Sequence, residues 1–175
     1  MALIVLDAGH GGSDPGATYQ NRREKDDTLA LVLAIGAILE ANGVNVYYTR
    51  TTDVYESPYQ KAWEGNRIWA DYYVSIHRNS SPYDNQYTGV ESLVYNQYGE
   101  AARLAYNINI QLEEIGFVNH GIVERTNLVV LNSTQMPSVL VEVGFINNDS
   151  DNALFDTRFS DIAAAIANGI LITIE

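Results

Sequence analysis

The chain has 175 residues, of which 46% are hydrophobic, and it carries a formal net charge of −12 at pH 7. This length suits one domain with a substantial core. The strong negative charge excludes nucleic acid as a partner, because nucleic-acid binding needs basic patches. The sequence contains no cysteine, which excludes disulfides and thiolate ligands, so any metal ion must be held by histidine and carboxylate groups.

Membrane association is not expected, because no apolar run reaches the ~18–20 residues that a membrane-spanning helix needs. The residues after Met1 enter a strand-like run without a basic segment or a cleavage site, so we expect no signal peptide. The chain is therefore expected to stay in the cytoplasm, to leave by a non-standard route, or to have been trimmed from a longer protein.

Short apolar runs alternate with helix-like stretches along the chain, which is typical of an α/β fold. The predicted strands are Leu3–Asp7, Asn45–Thr49, Tyr72–Ile76, Val90–Tyr95, Leu128–Leu131 and Val139–Val143. Helical spacing predicts four helices, at Lys25–Ala41, Pro58–Trp69, Ala101–Ile115 and Phe159–Ile170. We therefore predict one α/β domain, residues 1–175, with helices packed on a six-stranded sheet.

Two histidines lie where predicted strands end. His10 follows the first strand inside a glycine-rich turn, and His77 directly follows Tyr72–Ile76. The carboxyl ends of parallel strands meet at one edge of a sheet, where open α/β sheets bind ligands. A phosphate-binding loop around His10 is excluded because the required glycine and lysine spacing is absent. A glycine-rich turn that only happens to contain a histidine stays open. The third histidine, His120, is expected to be a solvated loop residue.

Two glutamates complete the candidate site. Glu24 precedes a predicted helix, where a carboxylate either complements the helix dipole or supplies a metal ligand. Glu142 ends an apolar run, where a charge is costly unless it is paired or used. Partial burial would raise its pKa and suit it to proton transfer. The alternative is a buried ion pair with one of three arginines (Arg50, Arg67 or Arg125). Together, two imidazoles and two carboxylates suggest a zinc-activated water with a carboxylate base.

Four blocks of this sequence resemble the zinc-dependent N-acetylmuramoyl-L-alanine amidases of the third amidase class, which occur in bacterial autolysins and phage endolysins. The blocks are Leu6–Gly12, Glu24–Lys25, Ser75–Asn79 and Met136–Asn148, and they follow the order of that family. The resemblance implies one Zn²⁺ ion on His10, Glu24 and His77, with Glu142 as the catalytic carboxylate. It also implies a twisted, mostly parallel six-stranded sheet with helices on both faces.

The same resemblance implies a peptidoglycan hydrolase that cleaves the amide bond between N-acetylmuramic acid and the L-alanine of the stem peptide. Two other functions stay open: a zinc peptidase acting within the stem peptide, and a non-catalytic wall-binding module. The expected partner is peptidoglycan, and a wall-binding domain is possible outside this chain. The expected place of action is the cell wall, reached either by endolysin release or by secretion of a longer protein.

The sequence departs from the family pattern close to the proposed site. Arg78 stands beside His77 where a small residue is usual, and Asn132 stands where many members carry arginine. We therefore predict that Arg78, Asn79 and Asn132 contact the substrate.

Overall fold

The computed structural model describes residues 2–175, in which strands and helices alternate along the chain. The strands are β1 (Leu3–Ala8), β2 (Thr18–Tyr19), β3 (Arg22–Arg23), β4 (Asn45–Tyr48), β5 (Tyr72–Asn79), β6 (Val90–Val94), β7 (Asn119–Glu124) and β8 (Ser138–Phe145). The helices are α1 (Glu24–Ala41), α2 (Pro58–Arg67), α3 (Gly99–Ile115), α4 (Val129–Asn132), α5 (Asp149–Thr157) and α6 (Phe159–Ile174).

The central sheet contains six of these strands in the order β4-β1-β5-β8-β6-β7, and the short strands β2 and β3 pair separately. All neighbours in the central sheet run parallel, except that β6 is antiparallel to β8. The carboxyl ends of β1, β5 and β8 therefore lie side by side at one edge. This arrangement confirms the predicted α/β domain with a six-stranded, mostly parallel sheet.

Helices cover the two faces of the sheet unequally. On one face, α1, α3 and α6 bury a large apolar core that includes Leu6 and Val74; we call it the closed face. On the other face, α2 and α4 cover a smaller core that includes Tyr73 and Leu140; we call it the open face. Successive residues of a strand point to opposite faces. His77 on β5 and Glu142 on β8 therefore share the open face.

The predicted helices all form, with ends shifted by a few residues. Ser57 starts α2, because its hydroxyl accepts a hydrogen bond from the backbone N–H of Gln60. The chain adds two short helices, α4 and α5, that the helical spacing did not predict. Within residues 2–175 no single helix has the length and apolar character to cross a membrane. The pair α5 and α6, bent by 83° where they meet, passes that test only when taken together.

One predicted strand is wrong. Of the predicted strand Leu128–Leu131, Leu128 is the N-cap of α4 and the other three residues are in that helix. A short apolar run has no periodicity that separates a strand from a buried helical turn. The sixth strand is β7, whose opening residues Asn119–Gly121 resemble a turn in sequence. His120 is therefore a strand residue and not a loop residue, although it is exposed as expected, with Nε2 2.6 Å from the carbonyl oxygen of Thr88.

Candidate metal centre

The turn after β1 fixes the orientation of His10. The backbone of His10 is left-handed, with φ 62°. Gly11 is required next to it, since a Cβ at this position would lie 2.1 Å from the carbonyl oxygen of Val54. Asp14 closes the turn, and its Oδ2 lies 2.8 Å from His10 Nδ1. This contact leaves His10 Nε2 directed at Glu24.

Glu24 lies between the two histidines. It is the first residue of α1 and is only 3% exposed. Its Oε2 lies 3.0 Å from His10 Nε2, and its Oε1 lies 2.9 Å from His77 Nδ1. The backbone N–H groups of Ala17 and Arg78 donate hydrogen bonds to the same carboxylate. The carboxylate is therefore held in a fixed orientation before any ligand binds.

The spacing of these groups fits a metal ion. One ligand atom from each of His10, Glu24 and His77 lies within 4.8 Å of the other two. A tetrahedral site with bonds of about 2.1 Å separates its ligand atoms by roughly 3.4 Å. Gly9 and Gly16 leave room for the imidazoles, since a Cβ at either glycine would lie 2.5 Å from a ring atom of His77 or His10, respectively. The three side chains thus form a candidate metal centre.

Electrostatics couple the three groups. Burial alone would raise the pKa of Glu24, but its contacts with His10 and His77 lower that pKa well below its usual range. Burial alone would lower the pKa of His10, but Glu24 and Asp14 raise it to about 9. A carboxylate beside an imidazole stabilises the protonated, charged form of that imidazole, at the position where a metal cation would bind. Metal binding and protonation are therefore expected to compete.

Glu142 lies beside this centre. It pairs in register with His77 across the parallel strands β5 and β8. Its Oε2 is buried and has no hydrogen-bond partner among residues 2–175. Burial raises the pKa of Glu142 to about 7, with nearby His77 opposing the rise and Glu24 adding to it. None of the three alternative partners pairs with Glu142 in the described residues. Arg50 donates to backbone carbonyls, Arg67 lies over the Trp63 ring, and Arg125 donates to the carbonyl of Glu124.

Asn79 is brought close to Glu142 through Glu91. Asn79 Nδ2 donates to Glu91 Oε1 at 3.0 Å. Glu91 pairs in register with Glu142 across β6 and β8. Asn79 thus lies on the same side of the sheet as the candidate centre, and its predicted contact with a substrate stays a prediction.

Arg78 is not brought to the cleft. It follows His77 on the same strand and points to the closed face, where it is only 2% exposed. Its guanidinium pairs with Asp27, donates to Asn152 Oδ1 at 2.7 Å, and lies 4.2 Å from the ring centroid of Phe155. This placement leaves no surface of Arg78 for the predicted substrate contact.

Asn132 also lies away from the candidate centre. It ends α4 and lines a separate cavity of about 560 Å³ near Ser138, at the amino end of β8. Its Nδ2 donates to the carbonyl of Thr126, and its Oδ1 accepts from the hydroxyl of Ser133. The candidate centre lies at the carboxyl end of the same strand, so the structure does not join Asn132 to it.

A cavity of about 290 Å³ opens onto His10 and His77. One wall contains Tyr55, Glu56 and Pro58, and the other contains residues 127–130. Two polar groups that sequence reasoning missed line this cavity. One is Asp14, which orients His10, and the other is Glu56, whose buried Oε2 has no hydrogen-bond partner within residues 2–175. For Asp14, the only signal in the sequence for a role at the site was its position four residues after His10. We find no such signal for Glu56.

Lys61 and Asp7 also line this cavity, where Lys61 Nζ lies 2.8 Å from Asp7 Oδ1 and both residues are buried. Lys61 also donates to the carbonyl of Ala8 at 2.7 Å, whereas Asp7 accepts from the hydroxyls of Thr49 and Ser75. This buried pair ties α2 to the sheet directly beneath the candidate centre.

Comparisons of sequence with known proteins give a consistent result. A family model described as N-acetylmuramoyl-L-alanine amidase matches residues 4–171. The sporulation-specific N-acetylmuramoyl-L-alanine amidase of Bacillus subtilis strain 168 is 38% identical over 177 residues, which cover 97% of this chain and 67% of that protein. An endolysin of Bacillus phage SPP1 is 34% identical over 175 residues, which cover 96% of this chain and 64% of that protein. The chain thus spans about two thirds of the length of these relatives.

Solved structures resemble this fold over almost its whole length. The N-acetylmuramoyl-L-alanine amidase AmiC2 of Nostoc punctiforme matches with a TM-score of 0.91 and 32% identity, covering 99% of this chain and 97% of that chain. The catalytic domain of CwlV, an amidase from Bacillus (Paenibacillus) polymyxa var. colistinus, matches with a TM-score of 0.91 and 32% identity, covering 99% and 98%. The chain belongs to the N-acetylmuramoyl-L-alanine amidase family.

Proposed function

We propose that this domain hydrolyses the amide bond between N-acetylmuramic acid and the L-alanine of the stem peptide, and that it does so at the cell wall. In this proposal His10, Glu24 and His77 hold one zinc ion, and Glu142 transfers the proton. Family membership supports the reaction class. One observation supports the assignment of residues: His10, Glu24 and His77 converge at one point, and Glu142 lies beside them as the residue paired with His77 in the sheet.

The donor set favours zinc. Two imidazoles and one carboxylate, with no thiolate, are the ligands of many hydrolytic zinc sites, which keep one position open. The cavity beside His10 and His77 gives a substrate access to that position. When bound, zinc supplies a Lewis acid that polarises the scissile carbonyl and makes water more acidic.

Glu142 is suited to move the proton of the reaction. Its raised pKa, near 7, lets the carboxylate accept and release a proton close to neutral pH. Its oxygen takes a proton from the attacking water as the water oxygen bonds to the carbonyl carbon. The carbon–nitrogen bond then breaks, and Glu142 passes the proton to the departing amine of L-alanine. The products are the free lactyl carboxyl group of the glycan and a stem peptide with a free amino terminus.

A Glu142→Gln variant tests the proton-transfer role. The amide keeps the size of the side chain but cannot accept the proton, so turnover is expected to fall by about 10²–10⁴-fold. Zinc content should stay at the wild-type value. Glu114→Gln, which removes one charge from the exposed surface of α3, is the matched control and should keep full activity. Wild-type turnover by Glu142→Gln would remove Glu142 from this role.

Mass spectrometry of digested sacculi tests the bond that is cleaved. An amidase releases peptides that begin with L-alanine and leaves the glycan intact. Peptides that begin at a later stem residue would instead show a peptidase. A protein that binds sacculi and releases no peptide would be a wall-binding module.

A further inference from the structure

Both tryptophans of this chain are exposed, although tryptophan is highly buried on average in folded proteins. Trp63 on α2 is 59% exposed, and Trp69, just beyond that helix, is 83% exposed. Tyr59 on the same helix and Tyr55 just before it are exposed as well. We call Tyr55, Tyr59, Trp63 and Trp69 the aromatic strip. The proposed reaction at the metal centre uses none of these residues.

The aromatic strip is continuous with the cleft. Tyr55 lines the cavity beside His10, and α2 begins three residues later. Tyr59 and Trp63 are four residues apart, so they lie on one side of the helix, about 6 Å apart along its axis. The Arg67 guanidinium lies 5.3 Å from the Trp63 ring centroid. Tyr59 and Trp63 thus lie on one side of α2, which begins near the mouth of the cleft and is about 15 Å long, and Trp69 follows just beyond the end of that helix.

Trp69 occupies a position that folding alone does not favour. Its backbone is left-handed, with φ 56°, just after the end of α2. A bulky residue is strained in this conformation, and glycine is the usual residue where a helix ends this way. The exposed ring adds nothing to the core. It borders a shallow cavity of about 200 Å³, shared with Asn66 and Met136. A ligand for the ring would account for a tryptophan at this strained position.

We propose that the aromatic strip binds the glycan strand of peptidoglycan, an inference that rests on the proposed function. The stem peptide is attached to a long polysaccharide, so the glycan continues past the cleft onto neighbouring surface. Tyrosine and tryptophan rings offer flat apolar faces with a polar edge, which suits stacking on sugar rings.

The surroundings of the strip favour a sugar over the other candidate partners. Among residues 58–70, Lys61 is buried in its pair with Asp7, and the other two charged groups, Arg67 and Glu64, have opposite signs. The exposed surface of this segment is therefore close to neutral, within a chain of net charge −12. Polar side chains such as Gln60 and Glu64 flank the two rings on α2, so the strip is not the large apolar patch that marks protein or membrane contacts.

Tryptophan fluorescence tests this proposal without any catalysis. Soluble oligomers of N-acetylglucosamine should change the emission of the wild-type protein in a saturable way. Trp69→Gly is the informative variant, because glycine relieves the left-handed strain and should keep the fold, while Trp63 remains as a reporter. We expect it to bind about tenfold more weakly, and Trp63→Ala to do the same with Trp69 as reporter. Tyr106→Ala, at an exposed tyrosine of α3, is the matched control and should bind as the wild type does.

A kinetic comparison separates this proposal from the proposed function. Trp69→Gly should raise KM on intact sacculi and leave the turnover of a small N-acetylmuramoyl-peptide unchanged. A wild-type protein that binds oligomers but hydrolyses neither substrate would contradict the proposed function and support glycan binding by the aromatic strip. A wild-type protein that hydrolyses both substrates but shows no response to oligomers would overturn glycan binding by the strip. Equal binding by Trp69→Gly and wild type, or binding of lipid vesicles in place of oligomers, would overturn it as well.

Discussion

The two faces of the central sheet use adjacent residues for different purposes. His77 points to the open face and contacts Glu24, whereas Arg78 points to the closed face and is buried beside Asp27 and Phe155. Strand alternation alone separates the two side chains. The carboxyl end of β5 therefore supplies a candidate metal ligand on one face and a structural contact on the other.

The largest effect is expected from removal of a ligand on the open face. His77→Ala should lose its zinc and about a thousandfold or more of its turnover, since a bound ion supplies several kcal/mol of transition-state stabilisation. Metal analysis and a hydrolysis assay measure the two effects. His120→Ala, at the exposed histidine of β7, is the matched control and should keep both zinc and activity. Full zinc occupancy in His77→Ala would contradict the site.

The next effect should arise from the closed face and concern stability. Arg78→Ala removes a buried cation from Asp27 and Asn152, which we expect to lower the free energy of unfolding by about 3 kcal/mol. Zinc content and the turnover of the folded protein should not change. Urea unfolding measures the loss, and Arg103→Ala in an exposed pair with Glu100 should show little change. A catalytic defect in Arg78→Ala without a loss of stability would break the distinction between the faces.

A smaller effect is expected from the buried pair under the cleft. Burial alone would raise the pKa of Asp7, but Lys61 and Ser75 outweigh it and lower the pKa to about 2. Because the pKa of Asp7 is lower in the folded protein than the value of 3.8 in the unfolded chain, its ionised carboxylate stabilises the fold above pH 3.8. This stabilisation is lost as the pH falls through about 2. The shift corresponds to about 2 kcal/mol. Unfolding in urea between pH 5 and pH 2 measures it, and a wild-type pH dependence in Asp7→Asn would show that other groups are responsible.

The smallest effect is expected at the residue that orients His10. Asp14→Asn weakens the contact with His10 Nδ1, so zinc affinity should fall by about tenfold with little change in stability. Competition with a zinc chelator measures the affinity. An Asp14→Asn protein with unchanged affinity would show that the turn alone positions His10.

The sequence predicted the parts of the site that coincide with strand ends. His10, His77 and Glu142 follow clear apolar runs, so a parallel sheet was enough to bring them to one edge. Glu24 was predicted from the family resemblance, since its position at a helix start also fits a role with the helix dipole. The sheet itself followed from the alternation of strand-like and helix-like runs.

Other features depended on contacts between distant segments. The predicted strand Leu128–Leu131 was wrong because four apolar residues suit either a strand or a buried helical turn. The substrate contact predicted for Arg78 rested on its place beside His77, although adjacent strand residues point to opposite faces. The exposure of Trp63 and Trp69 was not predictable either, because tryptophan is highly buried on average in folded proteins.

Anomalous X-ray diffraction at the zinc edge, from crystals of the zinc-loaded protein, would locate the ion itself. We expect one strong peak enclosed by His10 Nε2, the Glu24 carboxylate and His77 Nδ1, with Glu142 beside it. A peak elsewhere on the molecule, or zinc-loaded crystals with no peak at this position, would contradict the proposed metal site.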